Sequence, residues 1–336
     1  MMRRALVLGI TGQVGSYMAE LLLAKDYRVF GLVRRSSTPN TSRVAHLADR
    51  IELHPGDLTD LPSLHKILLA TRPHEVYNFA AQSFVGSSFT MPLHTADVTG
   101  LGALKLYEAC RLTFPIPETP KIYQASTSEL FGNAKECPQS EDTPISPVSP
   151  YGCAKAFAHF SAQTYRQAYG MFIACGIAFN HESERRGEEF VTRKITKAIA
   201  RIKAGTQHIL RLGNVTAKRD WLHAEDVAQA AWLMLQQKEP HDYVIASGEV
   251  HSVQDFLDQA FNIAGINPSE YVKIDPSLYR PQDVQTLQGD ARRIRRELGW
   301  APTIPFGALV SRMVLHDLAE VESCHPVQVA PGPATP

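Results

Sequence analysis

Two short stretches of the 336-residue chain carry side chains able to move protons. In Tyr151-Gly152-Cys153-Ala154-Lys155 the phenol and the amine are four residues apart, so both face the same side of a helix. A phenol with a pKa of about 10 is a poor base at neutral pH, and a neighbouring ammonium favours its ionised form. Tyr-x-x-x-Lys also arises by chance, so the pair needs a context. Ala125-Ser126-Thr127-Ser128-Glu129 supplies one. The Thr127 hydroxyl can bond an oxygen that is being oxidised. Glu129 adds a carboxylate suited to a second proton transfer, the removal of a C–H made acidic by a new ketone. A carboxylate that merely caps the turn after a strand is the alternative.

These residues must be held by regular elements. Ala5–Gly9, Val29–Val33, Ile51–His54, Val76–Ala80, Ile122–Ala125 and Phe172–Ile177 read as buried parallel strands. Ser16–Lys25, Leu61–Thr71 and Leu101–Thr113 are helical stretches between them. The alternation implies an α/β fold, a Rossmann-like doubly wound parallel sheet that binds ligands at the carboxyl ends of its strands. After Ile177 the rhythm loosens. Helices are expected over Phe190–Lys203, Ala224–Gln237, Val253–Ala264, Asp290–Leu298 and Phe306–Glu322, with a strand at Tyr243–Ala246. The expected division is a cofactor domain over 1–178, to which later segments return, and a smaller substrate-binding α/β lobe over 179–324. The Pro- and Ala-rich segment 325–336 reads as a disordered tail.

The first strand runs into Gly9-Ile10-Thr11-Gly12-Gln13-Val14-Gly15, a glycine-rich turn that opens a helix. Such a turn lets the backbone approach a pyrophosphate at the helix N-terminus. An enzyme selective for NAD would carry an acid about 20 residues further on, against the ribose 2′-hydroxyl. Here the second strand ends in Arg34-Arg35-Ser36-Ser37. Two guanidinium groups suit a 2′-phosphate, so NADP is the expected cofactor. Asp57 and Leu58, after the third strand, are placed for the adenine. Ala80, Gln82 and Ser83, after the fourth, are placed for the pyrophosphate and ribose. With NADP in the site, its nicotinamide charge would further favour the Tyr151 phenolate, and Lys155 could bond the adjoining ribose.

Composition narrows the partners. Lys and Arg total 34 against 34 Asp and Glu, which argues against a nucleic-acid binder. No apolar run is long enough to span a bilayer. Five cysteines, an odd number and never spaced as C-x-x-C, fit reduced thiols in a cytoplasmic protein. The thirteen histidines form neither H-x-H nor H-E-x-x-H, so no metal is expected.

Taken together these motifs closely resemble the GDP-mannose 4,6-dehydratase family of extended short-chain dehydrogenases/reductases. The resemblance runs from about Arg4 to about Leu318. Besides the segments above it rests on Ser149-Pro150-Tyr151, Phe179-Asn180-His181-Glu182-Ser183, Phe190-Val191-Thr192-Arg193-Lys194 and Lys218-Arg219-Asp220-Trp221. It implies a cycle on a GDP-sugar in which Tyr151, Thr127 and Lys155 support oxidation at carbon 4 and Glu129 serves loss of water across carbons 5 and 6. To the cofactor contacts expected from the glycine turn and the end of the second strand (Gly9, Thr11, Gly12, Gln13, Gly15, Arg34, Arg35 and Ser36) the resemblance adds His181 and Arg186. Asn180, Lys194, Arg219, Arg280 and Asp283 correspond to substrate contacts, and their cations would give a neutral protein a local diphosphate site. The family also implies a homodimer or homotetramer built through the segment resembled by Ser36 to Leu47. The run Arg292-Arg293-Ile294-Arg295-Arg296 reads as an exposed helix face. Val14, Glu184, Leu222 and Val227 depart from the usual Asp, Pro, Gly and Tyr, which leaves a GDP-heptose open as substrate. An epimerase or ketoreductase on the same scaffold, and an idle NADP-binding partner protein, are the competing readings.

Overall fold

The computed structural model describes residues 2–38 and 40–324; the expected disordered tail, 325–336, lies outside them. Six strands, β1 (Arg4–Leu8), β2 (Arg28–Val33), β3 (Ile51–Pro55), β4 (Glu75–Asn78), β5 (Lys121–Thr127) and β6 (Ile173–Ala178), pair in parallel with a seventh, Tyr243–Ile245. Their order across the sheet is β3-β2-β1-β4-β5-β6 and then Tyr243–Ile245. Ala5 to Leu8 are fully buried. That burial explains an apolar run without alternation, because a parallel sheet is covered on both faces. Helix α1 (Gln13–Ala24) and the helix Ala224–Leu235 close one face, where Val14, Tyr17, Met18, Ala228 and Ala231 share a core. Helix α2 (Leu61–Thr71) and the helices Gly102–Thr113 and Pro150–Tyr169 close the other, through Leu64, Leu106 and Ala158. The helix expected from Leu101 begins at Gly102, after a π turn over Ala96–Leu101.

A third core unites the helices Val191–Lys203, Val253–Ala264 and Phe306–Cys324 through Ile195, Ile199, Phe256, Leu309 and Met313. This lobe is joined to the sheet by strand pieces too short for any periodicity to show. Trp221–His223 pairs in parallel with Asn180–Glu182, and Lys218–Arg219 lies between His251–Ser252 and Thr286–Leu287. Between them Asp220 is fully buried. Its carboxylate accepts the backbone N–H of Ser247 and of Gly248, both at 2.8 Å, which fixes the flanking Arg219 and Trp221. Among the described residues no helix is long and apolar enough to cross a membrane.

Candidate active site

Strand order reverses between β1 and β4, and there the carboxyl ends of the strands and the lobe enclose a cavity of about 860 Å³. Its glycine wall is sterically set. Gly9 sits at φ +77°, and a Cβ on Gly15 would lie 2.1 Å from the Gly9 carbonyl oxygen. No side chain caps the first turn of α1, so its amide donors remain for an anion. Thr11 and Gly12 line the same wall, as do Arg34, Asp57, Leu58, Ala80 and Ser83. The donors and the cation suit the phosphates of a dinucleotide.

Three residues expected at the cofactor do not line the cavity. Arg35 and Ser36 are exposed, and the Ser36 hydroxyl donates instead to the Thr38 carbonyl at 3.3 Å. The Gln82 amide donates to the Phe84 carbonyl at 3.0 Å and so braces its own loop. Gln13 does line the cavity, but its side chain is engaged. Its amide nitrogen donates to the His181 carbonyl at 3.0 Å, and its oxygen accepts from the Ser183 hydroxyl at 2.8 Å. Conversely, the sequence reading missed Arg43. Its Nε donates to the Arg185 carbonyl at 2.7 Å, its Nη1 faces the Thr11 carbonyl at 3.3 Å, and the side chain lines the cavity. Nothing local marks it, since it reaches the site only because the segment after β2 folds back. Phe84 and Phe190 were also missed. Their rings meet edge-on at 5.4 Å, and the Arg186 guanidinium lies 3.5 Å from the centre of the Phe190 ring.

The helix Pro150–Tyr169 starts where it does because the Ser149 hydroxyl accepts the Gly152 N–H at 3.0 Å and Pro150 occupies its first turn. That start aims Tyr151 and Lys155 at the end of β5. Lys155 donates to the Ala125 carbonyl at 2.7 Å, and burial brings its pKa down to about 8. Burial pushes the Tyr151 phenol up to about 12, against a hydrogen bond with Thr127 that favours ionisation. Thr127 also caps the turn Ser128–Leu130 by accepting the Glu129 N–H at 3.3 Å. Capping therefore falls to Thr127, and the Glu129 carboxyl is left facing the cavity. Burial raises its pKa, opposed by Arg219 and Arg280.

Those two cations share one carboxylate. Asp283 lies 3.1 Å from Arg219 and 3.6 Å from Arg280. Lys194 and Asn180 complete this side of the cavity, and burial lowers the Lys194 pKa. His181 lines the cavity as well, with Nδ1 2.8 Å from the Phe179 carbonyl. A carbonyl only accepts, so Nδ1 carries the proton and Nε2 is left as an acceptor. Burial first, and Arg186 second, hold His181 down at about 4. The fold also gathers Glu184, His223 and Glu225, with ligand atoms within 4.8 Å of one another, a grouping that no sequence spacing announces.

A doubly wound sheet with a glycine turn at its switch point, and Thr, Tyr and Lys at the end of β5, defines a dinucleotide-dependent oxidoreductase-type scaffold of the extended short-chain dehydrogenase class. The sequence profile of the family described as GDP-mannose 4,6 dehydratase matches residues 6–313, and the chain belongs to that family. It is 51% identical to GDP-mannose 4,6 dehydratase 2 of Arabidopsis thaliana over 94% of this chain and 86% of that protein. It is 47% identical to the Homo sapiens GDP-mannose 4,6 dehydratase over 94% of this chain and 91% of that one. Among solved structures it superposes on the Thermus thermophilus UDP-glucose 4-epimerase, a complex with NAD, with a TM-score of 0.82 and 26% identity. That match covers 94% of this chain and 98% of the epimerase.

Proposed function

We propose that this chain converts GDP-mannose to GDP-4-keto-6-deoxymannose by loss of one water, with a nicotinamide cofactor that is NADP. The observation that carries the reading is Glu129, a carboxyl beside Thr127 and Tyr151 that is not used as a cap. An oxidation at carbon 4 alone would not need it. The bound nicotinamide would supply reversible hydride exchange with the sugar, taking hydride from carbon 4 and returning it to carbon 6. The chain's own groups handle the protons. Tyr151 Oη takes the 4-hydroxyl proton while Thr127 bonds the same oxygen. Lys155 keeps a positive charge near the phenol and orients the ribose. Glu129 then takes the carbon 5 proton and passes it to the departing 6-hydroxyl, which leaves as water. When hydride reaches carbon 6, carbon 5 takes up a proton that balances the one Tyr151 removed from the 4-hydroxyl. Its raised pKa suits a group that must both accept and return a proton near neutral pH. Arg219, Arg280 and Lys194 hold the diphosphate. Arg34, without an ion-pair partner among the described residues, supports the choice of NADP.

We also read the protein as a homo-oligomer. Phe157 and Phe160 on the helix Pro150–Tyr169 are exposed at 43% and 51%, together with Leu101 at 44%, an apolar face that a second copy could cover. Light scattering checks this, and a monomer would reject it.

The test of function is turnover of GDP-mannose in heavy water, followed by mass spectrometry. The expected product has lost one water, carries deuterium at carbon 5 and leaves no net reduced cofactor. With Glu129→Gln, dehydration should fall by roughly 10²–10⁴ while reduced-cofactor absorbance builds up. A wild type that only exchanges stereochemistry would move the chain to the epimerases. Undiminished dehydration by the variant would remove Glu129 from this role.

A further inference from the structure

The same helix that presents Tyr151 and Lys155 carries His159 one turn further on, buried and beside the end of β5. Its Nδ1 lies 3.3 Å from the Ser126 hydroxyl, and its Nε2 lies 3.1 Å from the Gln163 side-chain amide. That amide also faces the Asp242 carboxylate at 3.0 Å, and Asp242 is fixed by two bonds from Arg166 at 3.0 and 2.9 Å. A paired carboxylate only accepts, so Gln163 must turn its NH₂ toward Asp242. The same nitrogen then donates to His159 Nε2, which must be an acceptor. The imidazole proton is therefore on Nδ1, directed at the Ser126 oxygen. With its lone pair taken from behind, the Ser126 O–H is left to point away from His159. Ser126 lines the cavity, between Ala125, which receives Lys155, and Thr127, which meets Tyr151.

We infer that Ser126 is a further ligand-binding residue of the cleft, donating to an oxygen of the nicotinamide-riboside half of the cofactor, and that His159 is the positioning residue that sets its hydroxyl. This rests on the nicotinamide reading given above. His159 itself touches no ligand; it acts through Ser126. Burial disfavours its charged form, in keeping with a fixed neutral tautomer.

The experiment measures binding by calorimetry on the full chain, without turnover. Ser126→Ala should raise the NADP Kd roughly three- to tenfold, the effect of one neutral hydrogen bond. Adenosine 2′,5′-bisphosphate, which lacks the nicotinamide riboside, should bind both proteins equally. His159→Leu should match Ser126→Ala on its own and add nothing in the Ser126→Ala background. His159→Asn, whose amide can put an N–H near the Nδ1 position, should recover most of the affinity. If His159→Leu does not fold, Ser126→Ala and His159→Asn still decide the matter. An unchanged NADP Kd in Ser126→Ala overturns the inference, as does a His159→Leu effect that persists undiminished without the serine. A wild type that binds no nicotinamide dinucleotide would instead overturn the functional reading beneath it.

Discussion

The Lys155 ammonium lies 5.8 Å from the centre of the Tyr151 ring, tethered by the Ala125 carbonyl at 2.7 Å. The two are neighbours on a helix, yet it is the strand end that fixes their separation. Burial, helped by Glu129, outweighs the Thr127 hydrogen bond and Arg186 and leaves Tyr151 at about 12, too high for a base at neutral pH, so further positive charge has to bring it down. Lys155→Met should lower kcat by roughly 10²–10⁴. The remaining activity should keep rising with pH beyond the point where the wild type levels off. A pH–rate profile identical in shape to the wild type would show that the ammonium does not act on the phenol.

Arg34 lines the cavity and Arg35 does not. Losing a charge-assisted contact to a phosphate costs about 1.5–3 kcal/mol. Arg34→Ala should therefore weaken NADP binding by roughly ten- to a hundredfold and leave NAD binding nearly unchanged. Arg35→Ala, at an exposed site, should change NADP binding by less than about threefold. Titration of both cofactors into stripped protein checks the pair, and equal effects would mean that the two arginines act alike.

Arg219 and Arg280 oppose the burial that raises Glu129. Removing one of these cations should raise the carboxyl further. If Glu129 must be ionised to take the carbon 5 proton, the acid limb of the rate profile moves to higher pH. Arg219→Gln should show that shift together with a higher KM for the GDP-sugar. A raised KM with an unmoved acid limb would confine Arg219 to substrate binding.

Glu184 accepts from Tyr17 at 2.7 Å and lies 3.4 Å from His223. Burial opposes its ionisation, but the His223 bond, its own backbone N–H and Tyr17 outweigh it and hold the group at about 2. A folded pKa below the unfolded one stabilises the fold above the usual carboxylate range. That contribution fades as pH falls toward 2. Glu184→Gln should lose roughly 1–2 kcal/mol at pH 7, and the gap from wild type should narrow on acidification to about pH 3. Urea denaturation at both pH values measures it. A gap that stays constant would mean that the bonds, not the charge, matter.

Much of this molecule was legible in one dimension. The buried strands announced themselves as short apolar runs because a parallel sheet hides both of its faces. The helix Val253–Ala264 was readable to the residue from its apolar periodicity, and in the structure Ser252 and Asp255 form a capping box around its start. The glycine turn and the Tyr151–Lys155 pair were visible because their geometry is local, within one turn of backbone. The lobe was harder. Lys218–Arg219 and Trp221–His223 are strands of 2 and 3 residues, too short to carry a period, and Asp220 holds them by bonds to residues far along the chain.

What the sequence determined by itself was the scaffold, the glycine turn and the types of the reactive groups, because each follows from residues a few positions apart. Tertiary structure decided which of those groups meet. It turned Arg35, Ser36 and Gln82 away from the cavity and brought in Arg43, and it committed the Gln13 side chain to Ser183. It also gave the cap after β5 to Thr127 and so left the Glu129 carboxyl uncommitted at the cavity wall. Side-chain direction and burial set those outcomes, and both depend on partners that lie scores of residues apart in the chain.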